Sequence, residues 1–202
     1  MQTGLRARLR PTMLSDLDFV VSVEQDGHNR PFITPWERTQ HEGALRFPDS
    51  RHFIVEAGQD WERAGFVILQ GCRNPNGSVE LKRIVLQPKG QGLGRLCVGL
   101  LKKMAFHDLH AHRFWLDVKG LNTRAQTLYA SEGFVEEGRL RESVRVGPPL
   151  GRPKVDQPLT EGGAQRLGAH EPDGADGYDC LILMAMLDRE YQARVALGQE
   201  SA

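Results

Sequence analysis

At 202 residues the chain suits one domain, and 40% hydrophobic content is enough for a core. Twenty-six basic and twenty-six acidic residues cancel to a formal charge of zero, which argues against a nucleic-acid partner or a strongly polyanionic one. Cys72, Cys97 and Cys180 lie far apart with no C-x-x-C, so a reducing compartment is expected and a metal framework is not. There is no long apolar run and no apolar stretch behind the basic N-terminus. A membrane partner and a signal segment are therefore not expected, and the default location is cytoplasmic.

Residues 3–10 alternate apolar and basic side chains, the period of a strand with one wet face, and Pro11 is expected to end it. Ser15 with Asp18 reads as a helix cap ahead of the amphipathic run Leu17, Val20, Val21 and Glu24. After a loop at 27–31, Thr34-Pro35-Trp36-Glu37 has a capping threonine, a first-turn proline and a glutamate three after the cap. That order predicts a helix from there to about Phe47. Strands are expected at 52–57 and 65–70, joined by a hairpin loop at 58–63, and a turn at 74–77 leads to a further strand at 79–86.

The chain is organised around residues 79–109, VELKRIVLQPKGQGLGRLCVGLLKKMAFHDL. A β-rich run meets Pro88 and the glycines Gly90, Gly92 and Gly94, after which Leu96, Leu100, Leu101, Met104 and Leu109 recur at helical spacing. A glycine turn opening a helix is an anion site, because the first turn carries unpaired N–H groups and the positive end of the dipole. The stretch therefore reads as a cradle for a pyrophosphate. It is not a P-loop, since Arg95-Leu96 stands where Lys-Ser/Thr is required. Nor is it a dinucleotide fingerprint, since the sixth position is Arg95 or Cys97 rather than glycine, depending on the register.

Downstream, 113–118 reads as a strand, Asn122 to Ser131 as a helix stopped by Gly133, and 134–140 and 178–187 as strands. Between the last two strands, 147–177 is rich in glycine and proline and shows no period. An insertion of that length is either mobile or a flap over the site. The order β-αα-βββ-α-β-α-β-β predicts an α/β (α+β) fold, with a mixed sheet covered by helices on both faces.

Two segments carry a family resemblance. Lys89-Gly90-Gln91-Gly92-Leu93-Gly94 resembles the acetyl-CoA loop of the GNAT N-acetyltransferases, Gln/Arg-x-x-Gly-x-Gly/Ala, with Lys89 in place of Gln or Arg. Asn122 to Phe134 resembles that family's Asn-x-x-Ala-x-x-Leu-Tyr-x-x-x-Gly-Phe at every fixed position. The resemblance implies the GNAT fold over nearly the whole chain, 1–202 as a single domain with 147–177 inserted. It implies a mostly antiparallel sheet of about seven strands, splayed between those at 79–86 and 113–118. It also implies transfer of an acetyl group from acetyl-CoA to a primary amine, with no metal.

On the same resemblance, N–H groups from Gln91 to Arg95, with Lys89 and Arg95 as charge partners, would hold the pyrophosphate. A backbone N–H near Val85 or Leu86 would polarise the thioester carbonyl. Asn122 and Ala125 would contact the CoA arm, and Tyr129 would be the general acid. Glu80 would be the base, against the readings that water serves instead or that Glu80 merely pairs with Lys82 or Arg83. For the acceptor side, Glu24, His28, Trp36, His41, Arg139, Arg141 and Arg145 are candidates. The opening residues 5–11, which end in Leu9-Arg10-Pro11, and the segment 133–141 resemble the RimJ/RimL-like branch, which implies a small amine or a protein N-terminus as acceptor. A non-catalytic acyl-CoA-binding or regulatory module is the alternative, and a homodimer stays open.

Overall fold

A computed structural model describes residues 5–146 and 177–200; nearly all of the expected insertion lies outside them. Seven strands form one sheet in the order β1-β2-β3-β4-β5-β7-β6. They are β1 (Ala7–Pro11), β2 (Ser50–Ala57), β3 (Glu62–Gln70), β4 (Ser78–Leu86), β5 (Arg113–Lys119), β6 (Val135–Arg145) and β7 (Tyr178–Leu187). Every pairing is antiparallel except β4 with β5. The helices are α1 (Leu17–Gln25), α2 (Arg38–Arg46), α3 (Leu93–Lys103), α4 (Thr123–Ser131) and α5 (Asp188–Ala196).

β3 shows why the sheet is covered twice. Its residues from Ala64 to Leu69 are all buried, as a strand sandwiched between layers must be. Val67 and Leu69 pack into a larger cluster with α3, Tyr129 of α4 and Tyr191 of α5. Phe66 and Ile68 pack into a smaller one with Val20 and Val23 of α1. Successive side chains point to opposite faces, so the two clusters are the two sides of the sheet.

Two irregularities of β4 position the site. Ile68 pairs with Arg83 while the next residue, Leu69, pairs with Leu81, so Lys82 is an extra residue, a bulge. Val79 and Leu81 face the larger cluster before it; after it Ile84 and Leu86 do, and Val85 faces the smaller one. The second irregularity is on the other edge. β4 pairs with β5 only from Ser78 opposite Arg113 to Glu80 opposite Trp115. β5 continues beside β7 as far as Lys119, so from Leu81 onward β4 has no partner on that side. This is the expected splay.

Pro11 ends the first strand as expected, as its last residue, opposite Phe53 at the sheet edge, where a missing N–H costs nothing. Several other sequence expectations shift. Thr34 does not start a helix: α2 begins at Arg38, with Glu37 as its N-cap and the Glu37 N–H donating to Gln40 Oε1 at 2.8 Å. Local propensity loses there to two long-range bonds. Glu24 accepts from the Trp36 N–H at 2.7 Å, and Thr34 O accepts from Arg83 at 2.9 Å, which keeps 34–36 out of a helix. Asp16 rather than Ser15 or Asp18 serves the start of the first helical segment, accepting from the Met13 N–H at 2.9 Å. β6 runs on to Arg145, and α5 was not foreseen.

Candidate active site

The mouth of the splay opens into two adjoining cavities. The larger, about 640 Å³, is bounded by the end of β4, the glycine turn, the start of α3 and one face of α4. The smaller, about 310 Å³, lies between the 32–36 segment, the middle of β4 and the end of β5. Phe32, Ile33, Ile84, Asn122 and Tyr129 line both.

The larger cavity collects most of the residues expected from sequence: Val85, Leu86, Lys89, Gly90, Gly92, Leu93, Gly94, Arg95, Asn122, Ala125 and Tyr129, though not Gln91. Gly92 is the N-cap of α3 at φ 82°, a left-handed conformation that costs glycine little. Its carbonyl accepts from the N–H groups of Arg95 and Leu96 at 3.1 and 3.3 Å. The Leu93 and Gly94 N–H groups, one turn too early for an intrahelical acceptor, face the cavity side as a helix-start anion site. Gly94 is there for packing: a Cβ would stand 3.0 Å from Leu128 Cδ2 of α4.

At the end of β4, the Gln87 N–H bonds to Ala64 O on the β3 side at 2.8 Å. Alternation along an extended strand then turns the Leu86 N–H the other way, into the gap. Of the two backbone donors expected from sequence, Leu86 is therefore the one that faces the gap.

The charges around the turn are arranged differently from the expectation. Lys89 donates to His28 O at 2.7 Å and stands 5.4 Å over the Phe32 ring. Burial, and then the nearby Arg124, hold its pKa below the ordinary lysine range. Arg124, which the sequence did not single out, lines the same cavity. Arg95 also lines it, but its guanidinium is tied back to Glu132 at 2.7 Å and Ser131 at 3.1 Å. The second cation beside Lys89 is thus Arg124.

Asn122 caps α4, its Oδ1 accepting from the Ala125 N–H at 3.3 Å. That fixes the side chain at the junction of the cavities. Tyr129 is 6% exposed, and its hydroxyl makes no hydrogen bond to a described residue. Burial, and then Asp117, push its pKa well above the ordinary phenol range. It stays a proton donor at any working pH.

Glu80 is not brought together with the other expected residues. It lines neither cavity, and its carboxylate accepts from Lys82 Nζ at 3.0 Å. It belongs to the part of β4 still paired with β5, ahead of the opening. Among the described residues lining either cavity, the only carboxylate is Asp117. Asp117 makes no ion pair or hydrogen bond to a described residue. Its signal was present in the sequence: Phe114, Leu116 and Val118 alternate into the core, which puts Asp117 and Lys119 together on the other face.

On the acceptor side, Trp36 lines the smaller cavity and Arg83 stacks 4.7 Å over its ring. Glu24 and His41 sit behind that wall, fully buried. Glu24 pairs with Arg83 and lies 3.3 Å from His41 Nε2; His41 Nδ1 lies 3.2 Å from His52 Nε2; His52 Nδ1 lies 2.9 Å from Thr12 Oγ1. Burial alone would raise the Glu24 carboxyl, but His41, the Arg83 charge and the Trp36 N–H together hold it below the usual range. Burial, and then His41, lower His52 to about 4. His28 is exposed beside Asp26, and Arg139, Arg141 and Arg145 line neither cavity.

The site is thus a sheet opened between two parallel strands, with a glycine-started helix beside the opening. A family model described as the acetyltransferase (GNAT) domain matches residues 6–135, and the chain belongs to that family. It is 35% identical over 91 residues to an uncharacterized N-acetyltransferase of Mycobacterium tuberculosis, covering 45% of this chain and 57% of that protein, little more than half its length. It is 28% identical over 145 residues to spermidine N(1)-acetyltransferase of Vibrio cholerae, covering 66% of this chain and 82% of that one. The crystal structure of the Vibrio cholerae spermidine N-acetyltransferase with CoA and spermine superposes with a TM-score of 0.71 at 22% identity, over 92% of this chain and 98% of that one. A dodecameric structure of that enzyme superposes at 0.68 and 23% identity, over 93% and 97%. At such identity the likeness shows the shared fold.

Proposed function

We propose that the protein is an acetyl-CoA-dependent N-acetyltransferase that acetylates a primary amine by direct attack in a ternary complex. The observation that carries this reading is the meeting of two cavities at Ile84, Asn122 and Tyr129. One fits a phosphate-bearing arm and the other a small amine, and a proton donor stands at the junction. The names of the relatives, and the CoA bound in the Vibrio cholerae crystal structure, support the same assignment of the larger cavity.

The chain's groups divide the work as follows. The Leu93 and Gly94 N–H groups with Lys89 and Arg124 take the pyrophosphate. The Leu86 N–H polarises the thioester carbonyl as charge builds on its oxygen. Asp117 accepts a proton from the acceptor's ammonium, directly or through one water, so that the neutral nitrogen attacks the carbonyl carbon. As the C–S bond breaks, Tyr129 gives its proton to the departing sulfur. The attacking nitrogen releases its second proton to solvent, the phenolate recovers one from solvent, and Asp117 gives up the one it took.

On this reading 1–202 is one domain, with 147–177 inserted between β6 and β7. Among the described residues no helix is long and apolar enough to cross a membrane; a cytoplasmic location is part of the same proposal. The RimJ/RimL-like branch rests on residues 5–11 and 133–141 alone. The test is calorimetric titration with acetyl-CoA followed by a thiol-release assay over an amine panel. Binding with turnover supports the reading. Binding without turnover for any amine makes the protein an acyl-CoA-binding module instead.

A further inference from the structure

Among the described residues, the charges lining the smaller cavity are three basic and one acidic: Lys82, Arg83, Lys119 and Asp117. Two of the cations are already matched. Lys82 pairs with Glu80 at 3.0 Å, and Arg83 pairs with the buried Glu24. What remains is Asp117 and Lys119, each without an ion pair among the described residues. They lie two apart on β5, on one face of the strand, with Cα atoms about 6.6 Å apart by strand geometry.

Lys119 is only 9% exposed. Its ammonium donates to Pro31 O at 3.1 Å, which leaves two of its three protons for another acceptor. A lysine that far from water without an anion is costly unless something brings a negative charge to it. Burial lowers its pKa from the ordinary lysine range, with the Asp179 carboxylate opposing and the Arg83 charge adding to the fall, a direct expression of that cost.

Resting on the acetyltransferase reading, we propose that the acceptor is a small zwitterion, an amine whose molecule also carries an anionic group a few bonds away. Asp117 receives the ammonium beside Tyr129, and Lys119 holds the anion beneath the 31–36 segment. The same arrangement selects against polyamines. A polyamine brings two or more positive charges to a cavity with one carboxylate, and the charge beyond the first must lie beside Lys119 or Arg83. A cavity of about 310 Å³ also suits a small molecule.

The experiment is a thiol-release assay with acetyl-CoA and paired amines. Glycine, β-alanine and γ-aminobutyrate are each set beside the corresponding carboxamide, with 2-aminoethylphosphonate and spermidine as further arms. At least one carboxylate is expected to exceed its carboxamide by roughly tenfold or more in kcat/KM, the scale of one charge-assisted bond. The phosphonate distinguishes a carboxylate from a phosphorus oxyanion as the natural anion. Lys119→Met should erase the preference through KM, Lys119→Arg should keep it, and acetyl-CoA affinity by calorimetry should not change in either. Lys119→Gln serves the same purpose should Lys119→Met not fold. Equal rates for carboxylate and carboxamide, a preference that survives loss of the lysine, or spermidine as the best substrate would each overturn the assignment. Turnover of neutral amines or polyamines alone would overturn it and leave the acetyltransferase reading standing. No turnover with any amine, with acetyl-CoA bound, would remove both.

Discussion

The two walls of the cleft are made of different materials. The cofactor wall is mostly backbone: the Leu86 N–H in the splay, the N–H groups at the start of α3, and glycines at Gly90, Gly92 and Gly94 that let a ligand and α4 come close. The acceptor wall is side chains braced from behind, Trp36 under Arg83, Arg83 on Glu24, Glu24 on His41, and His41 on His52. A backbone wall needs few particular side chains and tolerates their loss. A braced wall concentrates its stability in one buried network, where removing a member strands its partner.

The largest expected effect tests that contrast directly. Glu24→Ala leaves Arg83 and His41 without their carboxylate inside a buried layer, and should cost about 3–5 kcal/mol of stability. Urea unfolding measures it, and acetyl-CoA affinity, measured on the fraction still folded, should hold. An undiminished urea midpoint would mean that the network is not bracing the wall. The opposite pattern is expected at Tyr129. Its buried hydroxyl has no partner among the described residues, so Tyr129→Phe should leave stability unchanged or slightly raised. Turnover should fall by roughly a hundredfold or more, the contribution of a positioned acid, with KM for acetyl-CoA little affected. A variant with near-normal kcat would remove Tyr129 from the acid's role.

The same contrast explains what could be read from the sequence. The succession of elements and the glycine turn were legible from local pattern, because backbone sites demand glycines and caps at fixed spacings, and the family resemblance added the splay and most of the residues around the larger cavity. Asn122, Ala125 and Tyr129 follow the same logic, being tied to one helix and its cap. The acceptor wall was legible only in part: Glu24, Trp36 and His41 were candidates, but their bracing by Arg83 and His52 was not foreseen, because Glu24 and Arg83 are 59 residues apart and His41 and His52 come from different elements. The misplaced start of α2 has the same cause, since Thr34-Pro35-Trp36-Glu37 is a sound local signal overridden by bonds from α1 and β4. Glu80 was chosen by its place on the strand; the bulge at Lys82 and the onset of the splay, which no local pattern announced, put the opening beyond it. Asp117 needed only the alternation of β5 to be noticed.

A smaller effect separates the charges around the phosphate site. Lys89→Met and Arg124→Met should each weaken acetyl-CoA binding about tenfold at low ionic strength, and the loss should shrink as salt is added. Arg95→Met should change affinity little, because its guanidinium already serves Glu132, and should show instead as a small loss of stability. Calorimetric titrations at two salt concentrations decide it; a loss at Arg95 equal to that at Lys89 would return Arg95 to the phosphate.

The smallest expected effect is a pH dependence confined to the braced wall. His52 is held neutral, its pKa lowered from 6.5 to about 4 by burial and by His41. The groups facing it are His41 of α2, Glu24 of α1, Arg83 of β4 and Asp16 before α1, of which Glu24 and Asp16 oppose the lowering. A histidine depressed in the folded state binds fewer protons there than in the unfolded chain, so its contribution is complete above about pH 6.5. It is lost as pH falls toward 4, by about 1 kcal/mol between pH 6.5 and 5.5. The depressed carboxyls of Glu24 and Asp16 give the same sign but act lower, as pH falls below their ordinary values of 4.5 and 3.8. Urea midpoints measured at half-unit steps should therefore decline across that window in the wild type and stay level in His52→Gln, which cannot take up the proton. A decline of equal size in the variant would place the titrating group elsewhere, and His41, with Glu24 on one side and His52 on the other, would be the next to replace.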